Sequence, residues 1–145
     1  MPTVANILAA KGYVVYRAAP DESVFVAVRR MAAHDVGSLL VVDEAGHALG
    51  ILTERDCLRR LVLDDRRPKD TRVQTVMCLD TYAVTPDVPI EQCMSIMTER
   101  RVRHLSVTEG TTVVGIVSIG DVVKAQTSAH RSSIEEMTQY IQGRA

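Results

Sequence analysis

The chain is written twice. Residues 19–36, APDESVFVAVRRMAAHDV, line up with residues 85–102, TPDVPIEQCMSIMTERRV: Pro20 matches Pro86, Met31 matches Met97 and Val36 matches Val102, each at an offset of 66. GILTERD (50–56) then matches GIVSIGD (115–121) at an offset of 65. The residue lost between them falls in DEAGHA against EGTTV, where a turn absorbs a length change that strands and helices do not. An internal period of this size dictates a fold built from one supersecondary unit used twice.

Each copy can be parsed by its periodicity. Val24, Val28, Met31 and Ala32 recur at i, i+4, i+7 and i+8, the stripe of an amphipathic helix, and Ile90, Met94 and Met97 repeat it after Pro89, a residue suited to a first helical turn. Short strand-like runs precede these helices, YVVY (13–16) and TYAV (81–84). Two apolar runs follow each helix: SLLVVD and ALGILT around Glu44-Ala45-Gly46, then HLSV and VVGIVS around Gly110, both hairpin patterns. The second run leads into a further helix, ERDCLRRLVL or GDVVKAQ, so the unit is β-α-β-β-α. A short apolar segment leads each copy, TVANIL and VQTVM, and DDRRPKDTR (64–72) reads as a charged linker. In the tail, Ile134, Met137 and Ile141 have helical spacing, with Ser132 or Ser133 as the N-cap. The expected division is residues 1–66, 73–130 and a C-terminal helix over 131–145.

Composition narrows the function. At 145 residues and 46% apolar, the chain fits one compact domain or two small subdomains sharing a core. Seventeen basic against 18 acidic side chains leave a net charge of −1, and aromatics make up 3% with no Trp, which disfavours nucleic acid as a partner. Cys57, Cys78 and Cys93 lie far apart and form no C-x-x-C pair, so no zinc or other metal site is expected. Their odd number points to a reducing compartment. No run approaches a membrane span and MPTVANILAAKG lacks the features of a signal peptide, so a soluble, cytoplasmic protein is expected. GxGxxG, GxxxxGK[ST] and HExxH are absent. His34 and His47 read as exposed, and Cys57 and Cys93 as buried on helices, so no catalytic residues and no enzyme activity are expected.

The repeated β-α-β-β-α unit with GILTERD and GIVSIGD at matching junctions resembles a pair of cystathionine-β-synthase (CBS) domains, a Bateman module. The similarity covers nearly the whole chain, through DVGSLLVVDEAGHALGILTERD and RVRHLSVTEGTTVVGIVSIGD. Ser106 stands where many members carry Pro. The resemblance implies an α+β fold of two CBS repeats packed with pseudo-twofold symmetry, as in stand-alone bacterial CBS-domain proteins.

The hydroxyl three residues before an Asp admits two readings. As a capping box, Thr53 accepts a bond from a first-turn N–H while Asp56 reaches back to the N–H of Thr53. Glu is the usual partner, and Asp reaches back less well. As a ligand site, the carboxylate accepts from the two hydroxyls of a ribose, and the hydroxyl and N–H groups at the helix start suit phosphate. Ile51 or Ile116 can flank a purine. Chemistry alone leaves the two readings even.

The resemblance favours the ligand. It implies ribose contacts for Asp56 and Asp121, and ribose or phosphate contacts for Thr53 and Ser118. Arg100 and Arg101 read as a solvated helix end, whereas Arg103 and His104 enter an apolar strand and can donate to phosphate. Gly37 and Ser38 hold the matching places in the first copy, so the two sites are unequal. Arg55 would assist near Asp56. By the same resemblance ligands sit in clefts between the copies: Thr3, Ile7, Val36 and Gly37 complete the Asp121 site, and Thr75, Met77 and Val102 the Asp56 site. The implied ligand is AMP, ADP or ATP, with NAD or S-adenosylmethionine as further candidates. A homodimer and an unidentified regulated protein are the implied partners. The rival expectation is a ligand-free structural or interaction module in which both motifs are only helix caps.

Overall fold

The computed structural model describes residues 2–79 and 82–141. In chain order they form α1 (Val4–Lys11), β1 (Arg17–Ala18), α2 (Val24–His34), β2 (Ser38–Val42), β3 (Ala48–Thr53), α3 (Glu54–Leu63), a 3-10 turn (Pro68–Asp70), α4 (Val73–Val76), β4 (Ala83–Val84), α5 (Ile90–Arg100), β5 (His104–Glu109), β6 (Thr112–Ser118) and α6 (Ile119–Ile141). The class is α+β, and the β-α-β-β-α order recurs in both copies.

Two compact units result, Val14–Tyr82 and Met1–Tyr13 with Ala83–Ala145. They do not follow the repeat boundaries. Segment α1 precedes the first repeat yet belongs to the unit of the second, and α4 precedes the second repeat yet belongs to the unit of the first.

In the Val14–Tyr82 unit the sheet order is β1-β2-β3, with β1 parallel to β2 and β2–β3 an antiparallel hairpin. Val24, Ala27 and Met31 of α2 pack with Leu39, Val41 and Leu52 of the hairpin, Cys57 of α3 and Val73 and Val76 of α4. Backbone bonds stitch α4 in place: Val73 N–H donates to Glu22 O (2.8 Å) and Gln74 N–H to Pro20 O (2.9 Å). Past α4 the chain pairs with β3, because Ile51 and Cys78 exchange both N–H···O bonds at 3.1 and 2.8 Å.

The other unit repeats this plan with β4-β5-β6, α5 and α6. Segment α1 is stitched by equivalent bonds, Val4 N–H to Val88 O (2.9 Å) and Ala5 N–H to Pro86 O (2.8 Å). Unlike α4 it stays helical for eight residues, ending at Gly12, whose φ of +97° an L side chain rarely adopts. Fully buried Leu8 sits over Gly115.

Two expectations, the first strand and the tail, need correction. YVVY (13–16) is not the first strand: Tyr13 and Val14 are exposed, and ladder pairing begins when Leu40 N–H donates to Tyr16 O, with β1 at Arg17–Ala18. Only Tyr16 of the run is packed on the core, so the run reads like a strand but connects. Of TYAV (81–84), Thr81 lies outside the described residues and β4 is Ala83–Val84. The tail is not a separate helix capped at Ser132 or Ser133: both lie inside the 23-residue α6, because GDVVKAQ and the tail share one uninterrupted helical run with no Gly or Pro between them. The linker 64–72 is more structured than its charge suggests, since Thr71 is buried and its O accepts from Val24 N–H at 2.8 Å. Among the described residues no helix is long and apolar enough to cross a membrane.

Candidate functional site

Both strand–helix junctions start with the same bond. Asp56 N–H donates to Thr53 Oγ1 and Asp121 N–H to Ser118 Oγ, each at 3.1 Å, so both hydroxyls cap a helix. At the second junction the bond is returned, because Ser118 N–H donates to Asp121 Oδ2 at 2.9 Å. That completes a capping box with Asp in the usual place of Glu. At the first junction the Asp56 carboxylate takes no hydrogen bond or ion pair that involves the described residues.

Segment α1 explains the difference. Its last residue is Lys11, whose Nζ donates to Asp121 Oδ2 (2.7 Å) and to Ile116 O (3.0 Å). Ile51, the counterpart of Ile116, is instead bonded to the backbone of Cys78. Burial works against the charged Asp121 carboxyl, but the Lys11 ammonium and the Ser118 N–H outweigh it and hold its pKa below the ordinary carboxylate value. An ammonium has three donors and a carboxylate two acceptor oxygens. Lys11 uses two of its three donors, and the Asp121 carboxylate is held by Lys11 and by both the backbone and the side chain of Ser118.

Lys11 and Asp121 line a cavity of about 640 Å³ within this unit. Ile7 and Ala10 of α1 face Ala125 and Ala129 of α6 across it, with Asn6, Lys11, Asp121, Lys124 and Ser128 as its polar lining. The side chains come together by helical spacing: Ile7, Ala10 and Lys11 lie on one face of α1, and Asp121, Lys124, Ala125 and Ser128 on one face of α6. Volume and lining match the usual small-molecule pocket, apolar with a few convergent polar groups.

Of the residues expected from sequence, Ile7 and Asp121 line this cavity. Thr3 is the N-cap of α1, its N–H donating to Asn6 Oδ1 at 2.8 Å. Ile116, Ser118 and His104 lie together along β5–β6, His104 opposite Ser118, and Arg103 is exposed and accepts from Ile119 N–H through its carbonyl. Arg103 and His104 are not part of the cavity lining. Val102 closes α5 by donating to Met97 O. In the Val14–Tyr82 unit, Gly37 O accepts from Glu54 N–H beside Thr53, Val36 and Met77 pack on the core, Ile51 is buried, Thr75 is half-buried, and Arg55 is exposed near Asp56. Sequence reading missed Lys11, Lys124 and Asn6. The signal was present: Lys11 falls four residues after Ile7 and Lys124 three after Asp121, one helical turn in each case.

Cys57 and Cys93 are buried, and burial, with Asp56 and Glu54 nearby, pushes the Cys57 thiol up to about 11, so it remains protonated and non-nucleophilic at neutral pH. His34 is exposed and stacks on Tyr16 at 3.9 Å. Among the described residues no group of three or more His, Cys, Asp or Glu could hold a metal ion.

The CBS-domain family model matches residues 14–63 and 73–128. A CBS domain-containing protein of Arabidopsis thaliana, CBSX3, mitochondrial, is 39% identical over 127 residues, 85% of this chain, and the chain spans 62% of that relative's length. The crystal structure of a CBS-domain containing protein from Agrobacterium tumefaciens superimposes with a TM-score of 0.81 at 35% identity, over 86% of this chain and 92% of that one. A CBS domain pair in complex with 5′-methylthioadenosine and S-adenosyl-L-methionine shares the fold with a TM-score of 0.76 at 21% identity, over 89% of this chain and 98% of that one.

Proposed function

The chain belongs to the CBS-domain family and carries the domain twice, and on that premise we propose that it is a regulatory module that binds an adenosine-containing ligand and catalyses no reaction itself. One observation carries the reading: a cavity of about 640 Å³ is lined by Asp121, whose carboxylate Lys11 and Ser118 hold in place. In this reading Oδ1 accepts from a ribose hydroxyl, and the base lies against Ile7, Ala10 and Ala125. AMP, ADP, ATP, NAD and S-adenosylmethionine are the ligands to compare. The complex of a distant relative with two adenosine compounds supports the class of ligand. Asp56, at the equivalent junction, is the second position for a ribose.

A bound ligand favours one arrangement of the protein by no more than its differential affinity for the competing arrangements. The regulated protein would read that shift. Leu58 and Val62 on α3, and Ile119 and Val123 on α6, are exposed apolar side chains suited to pairing with a second copy. Three cysteines without a disulfide suit the cytoplasm.

A second reading has its own support. The reciprocal bonds between Ser118 and Asp121 are those of a helix cap, and a ligand-free interaction module would need nothing more. Thermal unfolding with and without each adenosine compound separates the two. A ligand at a hundredfold excess over its Kd should add about 2.7 kcal/mol, and Asp121→Ala should abolish that gain. No shift with any of the five compounds leaves the capping reading standing alone.

A further inference from the structure

Lys11 sits at the Asp121 cavity as a fixed cation. Its ammonium is anchored twice, on Asp121 Oδ2 at 2.7 Å and on Ile116 O at 3.0 Å, and its third N–H has no partner among the described residues. A second ammonium, Lys124, lines the same cavity one turn along α6. Against these two positive groups stands one carboxylate, and its charge is already matched by Lys11. The cavity therefore places the Asp121 carboxylate beside a Lys11 ammonium with one donor left among the described residues, and a further cation close by. A neutral ligand offers Lys11 only uncharged acceptors. A ligand carrying an anion next to a hydroxyl uses both the ammonium and the carboxylate, and the pair is already oriented before the ligand arrives. A cationic ligand meets two ammonium groups. Among the described residues the other unit offers no equivalent, since α4 ends after four residues and Cys78 takes the backbone position beside Ile51.

From this we infer that Lys11 is the specificity-determining residue of the Asp121 cavity: it selects anionic, phosphorylated adenosine ligands over neutral or cationic ones. The inference rests on the proposed adenosine site and sharpens it. Phosphate oxygens accept from the free Lys11 N–H and from Lys124, while the Lys11–Asp121 pair holds the carboxylate in place for the sugar. Lys11 is thus both the positioning group for Asp121 and the group that reads the ligand's charge.

Titration calorimetry of the full chain with AMP, adenosine and S-adenosylmethionine tests this, in wild type and in Lys11→Met, Lys124→Met and Asp121→Ala variants. AMP should bind wild type about tenfold or more tighter than adenosine, one charge-assisted bond's worth, and S-adenosylmethionine should bind no better than adenosine. Lys11→Met should weaken AMP much more than adenosine and so collapse the AMP-to-adenosine ratio toward one, a change that a purely structural loss, weakening both alike, would not give. Lys124→Met should reduce the ratio less. A ratio unchanged in Lys11→Met, or one that collapses only in Lys124→Met, overturns the assignment to Lys11 and leaves the adenosine site intact. Should none of the three compounds bind wild type, or should Asp121→Ala bind AMP as well as wild type does, the site itself fails and the inference with it.

Discussion

Asp56 and Asp121 occupy the same place in the repeat, yet their carboxylates have different surroundings. Asp121 accepts from the backbone N–H of Ser118 and from Lys11, whereas Asp56 accepts from neither kind of group among the described residues. The local sequences do not explain this, since both read hydroxyl-x-x-Asp. The leading segments do. Segment α1 runs on for eight residues and ends with a lysine over β6, while α4 stops after four and the chain continues as a short bridge beside β3. A duplicated junction thus acquires two electrostatic characters from the length of the element laid against it.

The two ways of docking can be broken separately. In the Ala83–Ala145 unit contact is made by a side chain, so Leu8→Ala should be the most damaging change, at about 3 kcal/mol or more for an emptied core site, read by chemical denaturation. Met77, half-buried at the comparable place in the other unit, should tolerate Ala with a smaller loss. Next in size comes Gly50→Ala. An added Cβ would lie 2.5 Å from the Cys78 carbonyl oxygen, a backbone atom that cannot swing aside. It should cost about 2–3 kcal/mol and make the Ile51 and Cys78 amides exchange faster with solvent; unchanged protection of both would contradict it. Gly115→Ala meets only the end of the Leu8 side chain, at 2.7 Å, and should cost about 1 kcal/mol.

The carboxylates differ by less. Asp121→Asn gives up the ion pair and weakens the returned cap, for about 1 kcal/mol. Asp56→Asn loses only a favourable charge near a helix start, about 0.5 kcal/mol. Equal losses at the two positions would show that the Lys11 contact contributes nothing in solution. The smallest effect is the dependence on acid. The Asp121 carboxyl titrates below its ordinary value when folded, so its contribution is complete above about pH 4, its unfolded range, and disappears as pH falls through the lower folded value. Stability of Asp121→Asn should therefore fall less steeply below about pH 4 than that of wild type.

Much of this was legible without coordinates. Matching Met31 to Met97 and GILTERD to GIVSIGD gave the unit, its element order and the junctions, because apolar periodicity and register are written locally. Strand placement was less legible. YVVY has the composition of a strand, but only pairing with β2 decides that β1 begins at Arg17. The unbroken α6 shows the limit of cap signals: Ser132 and Ser133 could start a helix, and the preceding turn simply continued through them.

What the sequence alone determined is the doubled α+β unit and the two hydroxyl-x-x-Asp junctions, since both depend on residues a few positions apart. What the tertiary structure decided is which leading segment meets which repeat, and hence that Lys11 lies 2.7 Å from an aspartate 110 positions away. No periodicity records a contact of that span. It is set by how far α1 stays helical and by the room Gly115 leaves for Leu8, and charge complementarity at its end then distinguishes one copy of the motif from the other.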